Sequence, residues 1–185
     1  MINVAYNKFA LDRKEDREIL NWLTAINYGL QHSDYRTRRQ PGTGLWLLDA
    51  KEYKTWRSTP AQTLFCPGMP GAGKTILTSI VIDDLKQTFS DDNAFAIAYI
   101  YCNFKRKDEQ KIENMMANLL KQLIQAMSSF PDALKQLYEN HCKNGTRPTL
   151  QETYQTFRSV ASAYSRVFIV VDALDECQTS NDYAV

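Results

Sequence analysis

Charge of one sign and long apolar runs are both scarce in this sequence. The formal net charge is +1 over 185 residues, so we expect no direct nucleic-acid partner and no anionic membrane partner. The longest apolar run, from Ala94 to Cys102, is far shorter than the ~20 residues that a membrane-spanning helix needs. Residues 1–20 are dotted with charge and lack the apolar core of a signal peptide. The sequence therefore predicts no membrane span.

Cysteine and histidine are too few and too scattered to predict a metal centre. The four cysteines include no Cys-x-x-Cys pair, and the two histidines do not stand at metal-ligand spacing from them. Cysteines distributed in this way are typical of reduced, partly buried thiols in a cytosolic protein. Together with the missing signal peptide, they predict a cytoplasmic location. The four are Cys66, Cys102, Cys142 and Cys177.

Hydrophobic residues make up 44% of the chain, enough for a buried core, and their spacing predicts strands that alternate with helices. This is the pattern of an α/β fold in which helices cover a parallel sheet. A first helix is predicted from Asp12, with Glu15 completing a capping box, to Tyr28, with Gly29 at its end. A turn-rich break and a short helical stretch through Trp56 follow. The predicted strands are Thr63–Cys66, Ala94–Phe104 and Val167–Val171. The further predicted helices are 74–89, 112–127, 131–144 and 149–164.

The strongest motif is a complete G-x-x-x-x-G-K-[ST] pattern between the first predicted strand and the helix from residue 74. In such a P-loop, glycines let the backbone curl so that its N–H groups surround phosphate oxygens. Lys74 would reach the β- and γ-phosphates, the Thr75 hydroxyl would ligate Mg²⁺, and the helix N-terminus would favour the anion. The predicted phosphate-binding residues are Gly68, Met69, Pro70, Gly71, Ala72, Gly73, Lys74 and Thr75.

An acidic motif follows the last predicted strand. Asp172 stands at the strand's end, where a P-loop protein needs a carboxylate to hold Mg²⁺. Asp175 and Glu176 are then candidates for the acid that orients the attacking water, with Glu176 slightly preferred. We therefore divide the chain into an N-terminal helical segment and linker, residues 1–58, and a P-loop core, residues 59–185.

These motifs resemble those of fungal NACHT-type signalling NTPases, which share the nephrocystin-like N-terminal P-loop domain of large STAND proteins. The resemblance rests on three stretches, namely Pro41–Leu48 with its Gly-Thr-Gly-x-Trp, Cys66–Thr75, and Val170–Cys177 with its Asp-Ala-Leu-Asp-Glu-Cys. Animal NACHT proteins commonly have glycine where Ala173 stands. The resemblance implies that Thr43, Gly44 and Trp46 lie near the adenine. The alternative, a turn and an aromatic that pack the linker helix, also stays open.

The resemblance implies a regulatory switch. Its expected cofactors are ATP, ADP and Mg²⁺. In such a switch the ADP-bound form is resting, the ATP-bound form assembles into homo-oligomers, and ATP is hydrolysed slowly. Two alternatives stay open, a P-loop kinase that acts on a small molecule and a truncated, non-catalytic nucleotide-binding or scaffolding fragment. Whether ATP or GTP is bound is not decided by these residues.

The resemblance also implies a sheet that is incomplete at the C-terminus. In this branch of P-loop proteins, the strand after the acidic motif lies between the P-loop strand and the acidic strand. That strand would begin after Val185, so we expect either a gap beside the P-loop strand or a non-native neighbour that fills it. We also expect the 185 residues alone not to be a competent ATPase.

Overall fold

The computed structural model describes residues 14–90, 92–103, 106, 110–127 and 129–176. Within these ranges the chain forms eight α-helices and two strands. The helices are α1 (14–23), α2 (Tyr28–Arg38), α3 (Leu45–Asp49), α4 (Lys51–Ser58), α5 (Lys74–Thr88), α6 (Ile112–Gln125), α7 (Asp132–Cys142) and α8 (Leu150–Ala161). The strands are β1 (Phe95–Tyr101) and β2 (Arg166–Asp172), and a 3₁₀ turn, Leu174–Glu176, follows β2.

The two strands form a parallel pair, which confirms the predicted α/β class. Their register runs from Phe95 opposite Arg166 to Tyr101 opposite Asp172. Three helices, α6 to α8, lie between the strands in the chain and provide the crossover that parallel strands require. The carboxyl ends of both strands therefore lie at the same edge of the sheet, where Asp172 stands.

The predicted strand Thr63–Cys66 is wrong. Residues 62–69 adopt no regular structure, and the side chain of Phe65 is 82% exposed. Only Leu64 of this stretch is half-buried. An apolar run becomes a strand only where a neighbour accepts its backbone hydrogen bonds, and among the described residues β1 and β2 pair with each other and not with this segment.

The last strand is also less buried than its sequence indicates. Phe168 and Asp172 are buried, but Ile169 and Val171 are 44% and 37% exposed. The prediction of a sheet covered on both faces holds for β1, whose residues from Tyr99 to Tyr101 are all buried, and it fails for β2.

The helices from α5 onward lie close to their predicted bounds. The predicted capping box of α8 is present, since the Thr149 hydroxyl accepts from the Glu152 N–H and the Glu152 carboxylate accepts from the Thr149 N–H. Pro131 is the N-cap of α7 and not its first residue.

The first predicted helix is divided in two. Residues 24–27 are not helical, and the Asn27 side chain caps the new helix α2 by accepting from the Gly29 N–H. Gly29 therefore lies inside a helix and does not end one. Two side chains of α6 hold the break, because Asn118 donates to the Ile26 carbonyl at 2.8 Å and Lys121 to the Thr24 carbonyl at 2.7 Å. The Asp12 end of the prediction lies outside the described residues.

Two apolar clusters hold the sheet and helices together. The larger one joins β1 to α1 and α6, with contributions from α7 and α8, through residues such as Ile19, Ile100, Leu120, Leu123 and Leu134. The second joins the linker helices to α5 and β2, through Leu47, Tyr53, Val81, Leu85 and Phe168.

Tyr53 and Arg57 of α4 also donate to the Asp84 carboxylate of α5, at 2.6 and 2.8 Å. The linker helices thus pack directly on the helix that follows the glycine-rich loop of residues 68–73.

Cys66 and Cys142 are free thiols, as predicted, but both are exposed and not partly buried. Cys102 is disulfide-bonded, so the prediction of reduced cysteines is wrong for Cys102. Cys177 lies outside the described residues. None of the helices in the described ranges combines the length and apolarity that crossing a membrane requires.

A glycine turn fixes the linker against α5. Gly44 has φ +75°, and a Cβ added there would lie 2.5 Å from Ile80 Cδ1 and 2.9 Å from Leu77 Cδ2. Ile80 is 1% exposed and has little room to move. Gly42, in the same turn, has φ +79° but no atom within 4 Å of such a Cβ.

We expect Gly44→Ala to lower the free energy of unfolding more than Gly42→Ala does. Both substitutions place alanine in the left-handed region, which costs about 1–2 kcal/mol. Only Gly44→Ala adds overpacking, worth about 1–3 kcal/mol. Urea unfolding of the two variants measures the difference, and equal losses would show that the turn does not pack closely on α5.

Candidate functional site

The loop of residues 68–73 has the backbone conformation that its glycines allow. Gly71 and Gly73 have φ +81° and +84°, in the left-handed region that other residues rarely adopt. The Ala72 N–H donates to the Met69 carbonyl at 3.1 Å, which closes a tight turn. Gly73 is the N-cap of α5, so the helix begins at Lys74 as predicted, and its N-terminal N–H groups adjoin the loop.

Lys74 folds back over this loop. Its Nζ donates to the Gly68 carbonyl at 2.8 Å and to the Met69 carbonyl at 3.1 Å. These bonds hold the ammonium group at the loop, on the side where α5 begins. An ammonium group has three donors, and bonds to solvent-exposed carbonyls are weak enough to be exchanged for a charged acceptor such as phosphate.

Asp172, the acid predicted at the end of the last strand, is brought against α5. It is 4% exposed, and the Thr78 hydroxyl donates to its Oδ1 at 3.1 Å. Burial raises the pKa of the Asp172 carboxyl, while hydrogen bonds from Thr75 and Thr78 and the charge of Lys74 act in the opposite direction. The two predicted metal ligands, Thr75 and Asp172, therefore lie together, and a buried carboxylate in this setting is suited to a bound cation.

The two candidate acids for hydrolysis lie on the 3₁₀ turn after β2, and both Asp175 and Glu176 are exposed. Glu176 lies close enough for its charge to raise the pKa of Asp172. Between them and Asp172 stands Ala173, whose φ of +50° lies in the left-handed region. Glycine adopts this conformation without strain, and the Ala173 side chain is one of the smallest alternatives.

Trp46 and the turn before it have different environments. Trp46 is 66% exposed, so the interpretation that this aromatic packs the linker is wrong. The turn itself packs on α5 through Gly44, next to Leu77. The expected proximity of Thr43, Gly44 and Trp46 to an adenine stays a prediction.

Thr78 was not among the site residues predicted from the sequence. It follows Thr75 by three residues, a spacing that places two side chains on the same face of a helix. A second hydroxyl at this spacing after the P-loop threonine was the available signal, but it has meaning only once an acidic strand is known to pack on that face.

The comparisons with known proteins give one match. The family model described as "Nephrocystin 3, N-terminal" matches residues 42–184, which includes the turn at Gly44, the loop at residues 68–75 and the acidic motif. Searches of curated proteins and of solved structures found no match.

We expect Thr78→Val to be destabilising and Thr78→Ser to be nearly neutral. Valine keeps the shape of threonine but leaves the buried Oδ1 of Asp172 without this donor, a loss of about 1–3 kcal/mol, whereas serine keeps the hydroxyl. The free energy of unfolding of both variants, measured in urea, tests this. Similar values for valine and serine would mean that the hydroxyl does not support Asp172.

Proposed function

The chain belongs to the nephrocystin 3 N-terminal family, and on that premise we propose that it is a NACHT-type P-loop NTPase of the STAND class that binds ATP as a regulatory switch. The observation that supports this most is the contact of Asp172 with the first turns of α5, directly after a loop whose glycines have positive φ. In a P-loop protein, the phosphates and the metal ion lie between these two parts.

The residues present fit a nucleotide with its Mg²⁺. The exposed loop of residues 68–73 offers backbone N–H groups at a helix N-terminus, which is a favourable setting for phosphate. Lys74 supplies a positive charge at the loop. Thr75 and Asp172 supply the oxygen ligands that Mg²⁺ prefers, and a divalent ion would offset the cost of burying the carboxylate. When bound, Mg²⁺ neutralises phosphate charge.

We propose that nucleotide occupancy, more than turnover, is the output of this site. Asp175 and Glu176 are both exposed and stand on a short turn, so bulk water surrounds the carboxylates that would have to orient one attacking water. This arrangement favours slow hydrolysis. In the same proposal the protein acts in the cytoplasm, and the ATP form assembles with further copies of itself.

A switch also needs a part that moves with the nucleotide. The linker helices α3 and α4 pack on α5 through Tyr53, Leu47 and the bonds to Asp84. Because α5 begins at the loop, a shift of this helix on nucleotide binding would be passed to the linker. We propose that this contact carries the signal out of the site.

Lys74→Ala is expected to lower ATP affinity by at least tenfold, because a charge-assisted contact to phosphate is worth about 1.5–3 kcal/mol. The matched control is Lys54→Ala, which removes an exposed lysine of α4 that pairs with Asp49. Titration of a fluorescent ATP analogue measures both variants in the presence of Mg²⁺. Equal affinity of wild type and Lys74→Ala would refute the assignment of the loop as a phosphate site.

Asp172→Asn is expected to remove the Mg²⁺ dependence of ATP binding and to stabilise the metal-free protein. Burial raises the folded-state pKa of Asp172, so above that pKa the charged carboxylate costs folding free energy that asparagine does not. The gain should be about 0.5–2 kcal/mol at neutral pH and should vanish as pH falls below the unfolded-state pKa.

Glu176→Gln is the partner variant. It is expected to leave ATP affinity unchanged and to slow hydrolysis, since a water-orienting group acts only in the transition state. Thermal unfolding, binding with and without Mg²⁺, and phosphate release separate the two variants. If Asp172→Asn retained Mg²⁺-dependent binding and Glu176→Gln abolished it, the two roles would have to be exchanged.

A further inference from the structure

A basic groove lies on the surface between α2 and α5, away from the phosphate loop. Its volume is about 720 Å³, and it is lined by Arg36, Arg39, Pro41, Asp83, Lys86 and Gln87. Lys86 stands twelve residues after Lys74 on α5, which is about 18 Å along a helix that rises 1.5 Å per residue. The groove is therefore separate from the site at residues 68–75 and Asp172.

Positive charge exceeds negative charge in this groove. Three cationic side chains line it with a single carboxylate, that of Asp83, although the net charge of the whole chain is only +1. Both oxygens of Asp83 are already engaged, since His32 Nε2 lies 3.1 Å from Oδ1 and Arg36 Nε lies 3.6 Å from Oδ2. Asp83 therefore neutralises only part of the charge, and Arg36 remains 70% exposed.

Lys86 is exposed, and its ammonium group lies beside an aromatic ring. Its Nζ lies 4.8 Å from the centre of the Tyr99 ring and 3.5 Å from the Tyr99 hydroxyl. Arg39 follows the last residue of α2, and its backbone N–H is bonded to the Arg36 carbonyl. A side chain that is already positioned, as Lys86 is by Tyr99, loses less entropy when it binds a ligand.

We propose that this groove binds a phosphorylated polyol, such as an inositol phosphate, either free or as the headgroup of a lipid. Phosphate groups would bind Arg36, Arg39 and Lys86, because guanidinium groups match the geometry of phosphate and three cations favour a ligand with several negative charges. Ring hydroxyls would bind Gln87 and would donate to the Asp83 carboxylate, which is 25% exposed and whose oxygens can each accept a second hydrogen bond. The carboxylate makes a fully anionic ligand less suitable than one that also carries hydroxyl groups.

Calorimetric titration of the full chain with inositol 1,4,5-trisphosphate at low salt tests the proposal. We expect saturable binding that weakens as salt is added, and an affinity about tenfold lower in Arg39→Gln and in Lys86→Gln.

The matched control is Arg38→Gln, which makes the same change in charge one residue away. Arg38 pairs with Asp34 at 2.8 Å and does not line the groove, so its loss should change affinity less than about twofold. Lys74→Ala should leave this binding intact, which separates the groove from the phosphate loop.

Vesicles that contain phosphatidylinositol 4,5-bisphosphate distinguish the two sources of the ligand. Retention on these vesicles that is lost in Arg39→Gln identifies a lipid headgroup, and binding of the free trisphosphate without retention identifies a soluble ligand. The proposal is overturned if neither binds, if citrate binds as tightly as the trisphosphate, or if Arg38→Gln loses as much affinity as Arg39→Gln. Circular dichroism of each variant shows whether the fold is retained. The proposal is also overturned if Lys86→Gln loses binding while a folded Arg39→Gln keeps it.

Discussion

The burial of one carboxylate against the start of α5 is the constraint on which this structure depends. Asp172 reaches that position only because β2 pairs with β1 in a single register, with Asp172 opposite Tyr101, and because α5 packs across the pair. A buried carboxylate is costly unless donors or a cation compensate it, and here two hydroxyls and one ammonium group do so only in part. A cost of this kind is typical of a site kept for binding and not for stability.

The same helix carries the loop, and this explains how the loop is positioned without a strand before it. Residues 62–69 have no regular structure, so they cannot fix the direction of the loop. The direction comes from α5, which is held by the second apolar cluster, by the close approach of Gly44 to Ile80, and by Tyr53 and Arg57 at Asp84. In this structure the linker helices therefore help to fix the direction of the loop, which a preceding strand does in other sheets.

Local chemistry made much of the fold predictable from the sequence. The capping box at Thr149 and Glu152 determines the start of its helix through residues close in the chain. The apolar run at residues 167–171 was predicted from its composition, and it forms a strand because β1 pairs with it. The break between α1 and α2 was not predictable in this way, since Asn118 and Lys121, more than ninety residues away, bind its carbonyls. The segment Thr63–Cys66 failed for a related reason, because its composition fits a strand but says nothing about whether a neighbour will pair with it.

The residues of the candidate site also differ in whether the sequence alone could predict them. The loop and Asp172 could be proposed as site residues from spacing alone, because a phosphate and Mg²⁺ site needs specific residue types at fixed positions. Thr78 could not, since a threonine inside a helix has no special meaning until a strand packs on its face.

The position of the two hydrolytic candidates depends on backbone geometry that the sequence only hints at. Ala173 turns the chain into the left-handed region directly after Asp172, and the Glu176 N–H then closes the turn on the Ala173 carbonyl at 2.9 Å. This turn leads the chain away from the buried end of β2, so Asp172 faces α5 while Asp175 and Glu176 lie in solvent. A binding carboxylate and a water-orienting carboxylate need opposite environments, one dehydrated and one in contact with water. Ala173, a single residue with positive φ, therefore separates a buried acid from two exposed acids within five positions of the chain. This separation is compatible with the proposed switch, in which Asp172 would hold Mg²⁺ and the exposed acids would act only in slow hydrolysis.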